Sequence, residues 1–385
     1  MNRLELTGLV TRPAQVWGGI RLVPLVREEP VEGLRLHREV YTASGSGVVD
    51  LGPRTHYISY IPHGFVADWS GEDAQSAAYG TQLGPGTGEA SRKRPLRTVR
   101  IQRGRHHRMA KRQPGDRLRF LPLHLALEGY LALHFRGPAI AWEEWSRQAL
   151  RDGLSPRAEA AYMGWSVRGL DEALRTFEIH PGQCGVMVYA ADALAAACVV
   201  PHPDDYRLLH RSLVQDMYGE LVHHYALYGG PVAEFAARIG DGPHLRTLAD
   251  LRAEARAQER AWAEAHSTVF ARELLDSSYT FDQVYQMGSF TLWRFLPPFR
   301  LDGDGRHIGE TITDHKGRVA YLKTFRLSDG QIRRGHLLHR LADADWRLAE
   351  AATALGTDEG ELLRRIRSAG FEALLRHRAP GGIPR

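Results

Sequence analysis

The side chains with the clearest chemical potential are the cations between Arg92 and Arg119, here called the basic stretch. It carries twelve Lys and Arg side chains against one acid, Asp116, although the 385-residue chain has a net charge of only +5. Arginine binds phosphate through paired hydrogen bonds, so this density predicts a site for a phosphate-bearing ligand. The expected ligand-binding residues are Arg97, Arg100, Arg103, Arg105, Arg108, Lys111 and Arg112. The alternative is a solvated surface segment in an arginine-biased chain, since only four of the 50 basic residues are lysines.

A second candidate is His202-Pro-Asp-Asp205, which follows an apolar strand and precedes a helical segment. It resembles the metal-binding His-Pro-Asp-Asp of zinc-dependent sugar deacetylases. That resemblance implies zinc binding by His202 and Asp205, with Asp204 as the base. Tyr206 stands where those enzymes have Glu, and the spacing fixes no third ligand. The alternative is helix capping, because acids are favourable at the positive end of a helix.

The segment Trp346–Phe371 has the pattern of two short helices joined by a turn that contains Gly356. Apolar residues recur at helical spacing in both helices, and the small Ala351 allows them to cross closely. Arg347–Phe371 resembles the Fis-type helix-turn-helix, which implies a second helix that enters the major groove of DNA.

The second of these helices carries cations as well as acids. Its candidate nucleic-acid contacts are Arg364, Arg365 and Arg367. The acids that precede them are Asp358, Glu359 and Glu361. Because these acids would repel DNA phosphates, we interpret the module first as a docking or dimerisation unit. A homodimer through this module is therefore one expected assembly, and DNA binding is the second interpretation.

Composition and motifs limit the classes of protein to consider. The length and the 43% hydrophobic content suffice for two domains and a small module. The sequence has no apolar run of membrane-spanning length and no apolar signal-peptide core, which predicts a cytoplasmic protein without a membrane partner. Cys184 and Cys198 have no metal-ligand spacing and are expected to be small core residues. No GxSxG, HExxH or Walker motif is present, so the sequence names neither a catalytic group nor a cofactor.

Hydrophobic periodicity predicts an α+β fold. The predicted strands are Gly19–Val26 and the two hairpins Gln183–Val200 and Ile308–Phe325. The predicted helices are Tyr206–Tyr225, Leu245–Asp276 and Gln331–Leu341. In the longest helix the residues expected to face the core are Leu248, Leu251, Ala255, Trp262 and Phe270.

The order of these elements predicts four parts. They are a β-rich α+β domain over residues 1–228, a long helix with a small aromatic β-hairpin unit over 229–330, a Fis-like helix-turn-helix over 331–376 and a tail over 377–385. The aromatic residues of Ser277–Phe299 are expected to form a small core, with stacking on nucleic-acid bases as the alternative.

Two parts of the chain, Gly19–Val26 and Gly182–Leu227, resemble a bacterial family described as associates of ADP-ribosylglycohydrolases and rhodanese-type phosphatases. The positions that carry the likeness are Gly185, Val186, Leu194, Ala197 and Pro203. The resemblance implies a role in NAD and ADP-ribose metabolism and supplies no catalytic residue.

Taken together, these patterns predict an accessory protein of NAD, ADP-ribose or nucleotide-linked metabolism. We expect it to bind a phosphate-bearing ligand, either a nucleotide or an ADP-ribose-like molecule, through the basic stretch. The alternatives are a DNA-binding transcriptional regulator that uses the C-terminal module and a zinc-dependent hydrolase that uses His202 and Asp205.

Overall fold

A computed structural model gives the three-dimensional structure of the chain. It describes residues 2–36, 174–216, 225–235, 238–240, 245–303, 305–369, 371 and 375, together with six short strands between residues 47 and 118. Over these residues the fold is α+β, as predicted, with one large antiparallel sheet and helices on its faces. None of the helices described is both long and apolar enough to cross a membrane.

Ten of the described strands precede residue 119. They are β1 Val10–Thr11, β2 Gln15–Trp17, β3 Ile20–Val26, β4 Arg35–Leu36, β5 Gly47–Gly52, β6 Thr55–Ser59, β7 Gly64–Asp68, β8 Gln75–Tyr79, β9 Arg112–Gln113 and β10 Arg117–Leu118. Strands β1 to β3 belong to the large sheet. The others form three small sheets, in which β7 lies between β4 and β8, β5 pairs with β6, and β9 pairs with β10.

Six further strands build most of the large sheet. They are β11 Gln183–Ala190, β12 Ala193–Val199, β13 Thr280–Met287, β14 Phe290–Leu296, β15 His307–Asp314 and β16 Val319–Arg326. The strand order is β1, β3, β11, β12, β16, β15, β14, β13, with β2 also paired to β3. All neighbouring pairs are antiparallel. The predicted strand at Gly19–Val26 and both predicted hairpins are confirmed.

The turn between β15 and β16 explains why the sequence predicts that hairpin. The Asp314 carboxylate accepts the backbone N–H groups of Lys316 and Arg318 at 2.9 and 2.8 Å. Gly317 adopts a φ of +77°, a conformation that costs least at glycine. An aspartate that closes its own turn and a glycine at the left-handed position are local signals.

The helices begin where the local sequence supplies caps. They are α1 Pro203–Asp216, α2 Leu248–Ala265, α3 Arg272–Leu275, α4 Asp329–Asp343, α5 Leu348–Ala354 and α6 Glu359–Ser368. Thr247 and Asp250 form a capping box at the start of α2, and Ser328 and Gln331 form another at α4. Each box satisfies backbone N–H groups that have no partner within the helix.

Strand alternation divides the core between the two faces of the sheet. On one face, apolar residues of β11, β12, β15 and β16 pack against α1, α4, α5 and α6. On the other face, residues such as Leu25 and Met187 pack against the N-terminal segment and α3. Cys198 lies in the first core and Cys184 in the second, and both thiols are free.

The long helix predicted at Leu245–Asp276 is interrupted. Helix α2 ends at Ala265, a π turn spans His266–Phe270, and α3 follows. The prediction of a core-facing stripe is wrong at Leu248 and Leu251, which are 61% and 41% exposed, and α2 contains no buried residue. Tertiary packing engages only the C-terminal end of the segment, where Trp262 and Phe270 pack against the core.

The large sheet crosses the predicted boundary at residue 228. Strand β12 pairs with β16 in register from Ala196↔Phe325 to Val199↔Leu322, so strands from both sides of that boundary share one sheet. Apolar residues of α5 and α6 belong to the same core as the sheet and α4. The apolar faces of these two helices are therefore buried within the chain itself. The tail over 377–385 lies outside the described residues.

Candidate functional site

The most unusual piece of backbone is the π turn His266–Phe270, where the chain passes from α2 to α3. Its closing hydrogen bond runs from the Ala271 N–H to the His266 carbonyl at 2.9 Å. A π turn carries one extra residue, which changes the side chains that face the core, and such turns are frequent at functional sites. Here the change turns His266 inward and leaves Val269 66% exposed.

His266 forms a buried pair with Tyr189 of β11. The Tyr189 hydroxyl lies 2.7 Å from Nε2 of His266, and the two residues are 0% and 1% exposed. Burial lowers the pKa of His266 to about 4, with a smaller contribution from the positive charge of Arg21. Burial also raises the pKa of Tyr189. The imidazole is therefore neutral near pH 7, and its Nδ1 has no hydrogen-bond partner within the described structure.

Aromatic rings and a buried arginine surround this pair. The Trp262 ring stacks on the imidazole with a centroid separation of 5.2 Å, and the Phe270 ring is also stacked with it, at 6.3 Å. The Arg21 guanidinium lies 4.4 Å from the centre of the Phe270 ring and donates to the Ala233 carbonyl at 3.4 Å. The arrangement is a buried aromatic cluster around a neutral imidazole, with the Arg21 cation over one ring face.

A second group of ionisable side chains crosses the opposite face of the sheet. Arg294, Glu310 and Lys323 are direct cross-strand partners on β14, β15 and β16. Glu310 is 3% exposed, Nε of Arg294 lies 3.9 Å from its Oε1, and neither carboxylate oxygen accepts a hydrogen bond within the described residues. Burial raises the pKa of Glu310 to about 7, against the opposing charges of Arg294 and Lys323.

The same row continues to Cys198, which lies opposite Lys323 on β12. Burial raises the pKa of the Cys198 thiol to about 12, so the thiol is not an activated nucleophile. Sequence reasoning identified neither this row nor the Tyr189–His266 pair. The available signal was a charged residue flanked at i±2 by apolar ones: Glu310 lies between Ile308 and Ile312, and Lys323 between Tyr321 and Phe325.

The basic stretch lies largely outside the described residues. The structure describes only the backbone strands β9 and β10 there, which include Arg112 and Arg117. The predicted phosphate contacts of the stretch therefore stay a prediction.

The structure places the three candidate nucleic-acid arginines on α6, where all are exposed. Arg364 and Arg365 form ion pairs with Glu361 at 2.6 and 3.0 Å. Asp358 caps the helix by accepting the Glu361 N–H at 2.8 Å. The acids noted in the sequence thus serve as helix cap and ion-pair partner, and they reduce the charge available for phosphate.

His202 and Asp205 lie at the start of α1. The Asp204 N–H donates to Nδ1 of His202 at 3.1 Å, so the histidine acts as a helix cap, and Asp205 is buried in the first turn. Within the described part of the chain, no three His, Cys, Asp or Glu side chains are arranged to hold a metal ion. The zinc hypothesis therefore gains no geometric support here.

Comparison with known proteins relates the chain to one family. A family model described as ARPP-2 matches residues 4–288. This range contains the basic stretch and the Tyr189–His266 pair, whereas α4, α5 and α6 lie beyond it. No curated protein and no solved structure matches the chain significantly.

Proposed function

The chain belongs to the ARPP-2 family, and from that premise we propose that it binds a phosphate-bearing ligand, a nucleotide or an ADP-ribose-like molecule, through the basic stretch. The observation that carries the proposal is the charge of the stretch, twelve cations against one acid. Such a density creates a strong positive potential that attracts phosphate. The role we propose is that of an accessory protein in NAD, ADP-ribose or nucleotide-linked metabolism, in line with the family resemblance read from Gly19–Val26 and Gly182–Leu227.

Two further observations support this choice of site. The basic stretch lies inside the segment that the family model matches, whereas Arg364, Arg365 and Arg367 lie outside it. Two of those three arginines already have a carboxylate partner in Glu361. A cytoplasmic location belongs to the same proposal and is supported by the free, buried thiols of Cys184 and Cys198.

A thermal-shift assay of the full chain with ADP-ribose, NAD, AMP and inorganic phosphate tests the proposal. A ligand present at about 100 times its Kd stabilises the folded state by about 2.7 kcal/mol, which raises the melting temperature by a few degrees. We expect Arg100→Ala/Arg103→Ala/Arg105→Ala to abolish this shift. The shift should also shrink as salt increases, because salt screens exposed charges.

The matched control removes three exposed arginines from α2, Arg252→Ala/Arg256→Ala/Arg260→Ala, so that net charge falls by the same amount. This control should keep the ligand-induced shift. The proposal fails if no phosphate compound stabilises the wild-type protein, or if both triple variants lose the shift equally.

Duplex DNA is the second candidate ligand, and the paired helices α5 and α6 with their intervening turn at Gly356 favour it. A gel-shift assay distinguishes the candidates. DNA reading by this module predicts that Arg364→Ala/Arg365→Ala/Arg367→Ala removes binding while the basic-stretch variant retains it. The opposite pattern would assign any DNA binding to the basic stretch.

A further inference from the structure

A cleft of about 500 Å³ opens beside the π turn. One wall is formed by Val269, α3 and the two serines that follow it, and the other by the segment from Pro298 to Gly303 after β14. Its size falls within the range of about 300–1,000 Å³ that is typical of small-molecule sites. The cleft is separate from the Tyr189–His266 pair, because the exposed outer side of the π turn lines it while His266 faces the core.

The charges of the lining leave one arginine without an ionic partner. Glu273 accepts from Nε of Arg326 at 3.2 and 3.1 Å through its two oxygens, so its charge is compensated. Arg272 and Asp276 approach at 3.8 Å with both side chains mostly exposed, a pair that solvent weakens. No carboxylate among the described residues lies within ion-pair distance of Arg300, so the guanidinium of Arg300 is available to a ligand.

Contacts with neighbouring residues fix the wall of the cleft that carries Arg300. Phe299 adopts a φ of +49°, a strained conformation for an aromatic residue, and its carbonyl lies 3.1 Å from Nδ1 of His336. Across the cleft, the Ser277 hydroxyl donates to the Glu273 carbonyl at 2.5 Å. Strained backbone persists where the surroundings over-determine it, and such positions cluster at ligand sites.

We propose that this cleft binds a phosphorylated sugar. Its phosphate would lie against Arg300 and Arg272, whose planar guanidinium groups match phosphate oxygens. The Asp276 carboxylate and the Ser278 hydroxyl would accept hydrogen bonds from sugar hydroxyls. The polar lining and the carboxylates favour such a ligand over an apolar one. This site does not depend on the basic stretch.

Titration calorimetry of the full chain with ribose 5-phosphate, ribose and inorganic phosphate tests the proposal. We expect ribose 5-phosphate to bind more tightly than either fragment. Arg300→Ala should raise the Kd for ribose 5-phosphate by ~10-fold or more, which is the loss typical of a charge-assisted phosphate contact. Asp276→Asn should lower the affinity for ribose 5-phosphate and leave the affinity for inorganic phosphate unchanged.

Two controls separate this site from the other interpretations. Arg252→Ala removes an exposed α2 arginine and should leave the affinity unchanged, and Arg100→Ala/Arg103→Ala/Arg105→Ala should also leave it unchanged. Unaltered melting temperatures will show that Arg300→Ala folds, as its exposure leads us to expect. The proposal is overturned if Arg300→Ala binds as wild type does, if inorganic phosphate binds as tightly as ribose 5-phosphate, or if ribose 5-phosphate does not bind.

Discussion

The ring of Phe299 lies directly against the Cα atom of Gly335. A Cβ atom at position 335 would overlap the Cδ1 and Cε1 atoms of that ring. Phe299 is 1% exposed, so its ring has no free space into which to move. Gly335 therefore lets α4 approach the chain that follows β14 closely.

Gly335→Ala is expected to destabilise the protein. Alanine favours a helix interior over glycine by about 1 kcal/mol, but the steric overlap forces a shift of a buried ring, which typically costs about 1–3 kcal/mol or more. Urea unfolding should show a net loss of stability. Gly330→Ala in the same helix is the control, because a Cβ there would meet nothing closer than the Ser328 hydroxyl at 3.8 Å. Equal stability of the two variants would contradict the packing argument.

Glu310 should make stability fall as pH rises. Its pKa is raised from 4.5 to about 7 in the folded state by burial, so between these values the folded protein holds a proton that the unfolded chain has lost. The free energy of unfolding then decreases with pH across this window, by up to about 1.4 kcal/mol per pH unit. Urea unfolding of wild type and Glu310→Gln at pH 5, 6, 7 and 8 isolates the effect. Parallel pH profiles for the two proteins would refute it.

His266 should have the opposite effect, so that stability falls as pH decreases. Its pKa is lowered from 6.5 to about 4 by burial, so between these values the unfolded chain binds a proton that the folded protein excludes. The stability that depends on neutral His266 is present above pH 6.5 and is lost as pH falls towards 4. His266→Gln should flatten this part of the unfolding profile. A profile as steep as that of wild type would show that His266 does not titrate as the buried pair requires.

Removal of the Tyr189 hydroxyl should lower the free energy of unfolding without creating a large cavity in the core. Tyr189→Phe keeps the ring and deletes the 2.7 Å hydrogen bond, which leaves Nε2 of His266 buried without a partner. The expected loss is about 1–3 kcal/mol. Thermal and urea unfolding measure it, and the double variant Tyr189→Phe/His266→Gln should lose less than the sum of the single changes if the two side chains are coupled. Additive losses would rule the coupling out.

Much of the fold follows from signals that are local in the chain. Alternation of apolar and polar residues, turn residues and caps act over a few residues. They predict the two hairpins, the Asp314–Gly317 turn, strand β3 and the start of α4. Helix α2 shows the limit of such signals, because its periodic apolar residues predict burial and yet Leu248 remains exposed. Only packing decides which amphipathic faces meet a partner.

By itself, the sequence determined the α+β class, the main hairpins, the caps and the concentration of positive charge between Arg92 and Arg119. Tertiary structure alone decided which distant residues meet. Tyr189 and His266 are 77 positions apart, and the row of Arg294, Glu310 and Lys323 depends on the pairing registers of three strands. Register is set by long-range pairing and burial, and a shift of one residue would move Glu310 to the other face of the sheet. The altered pKa values follow from that burial, so no local pattern could have predicted them.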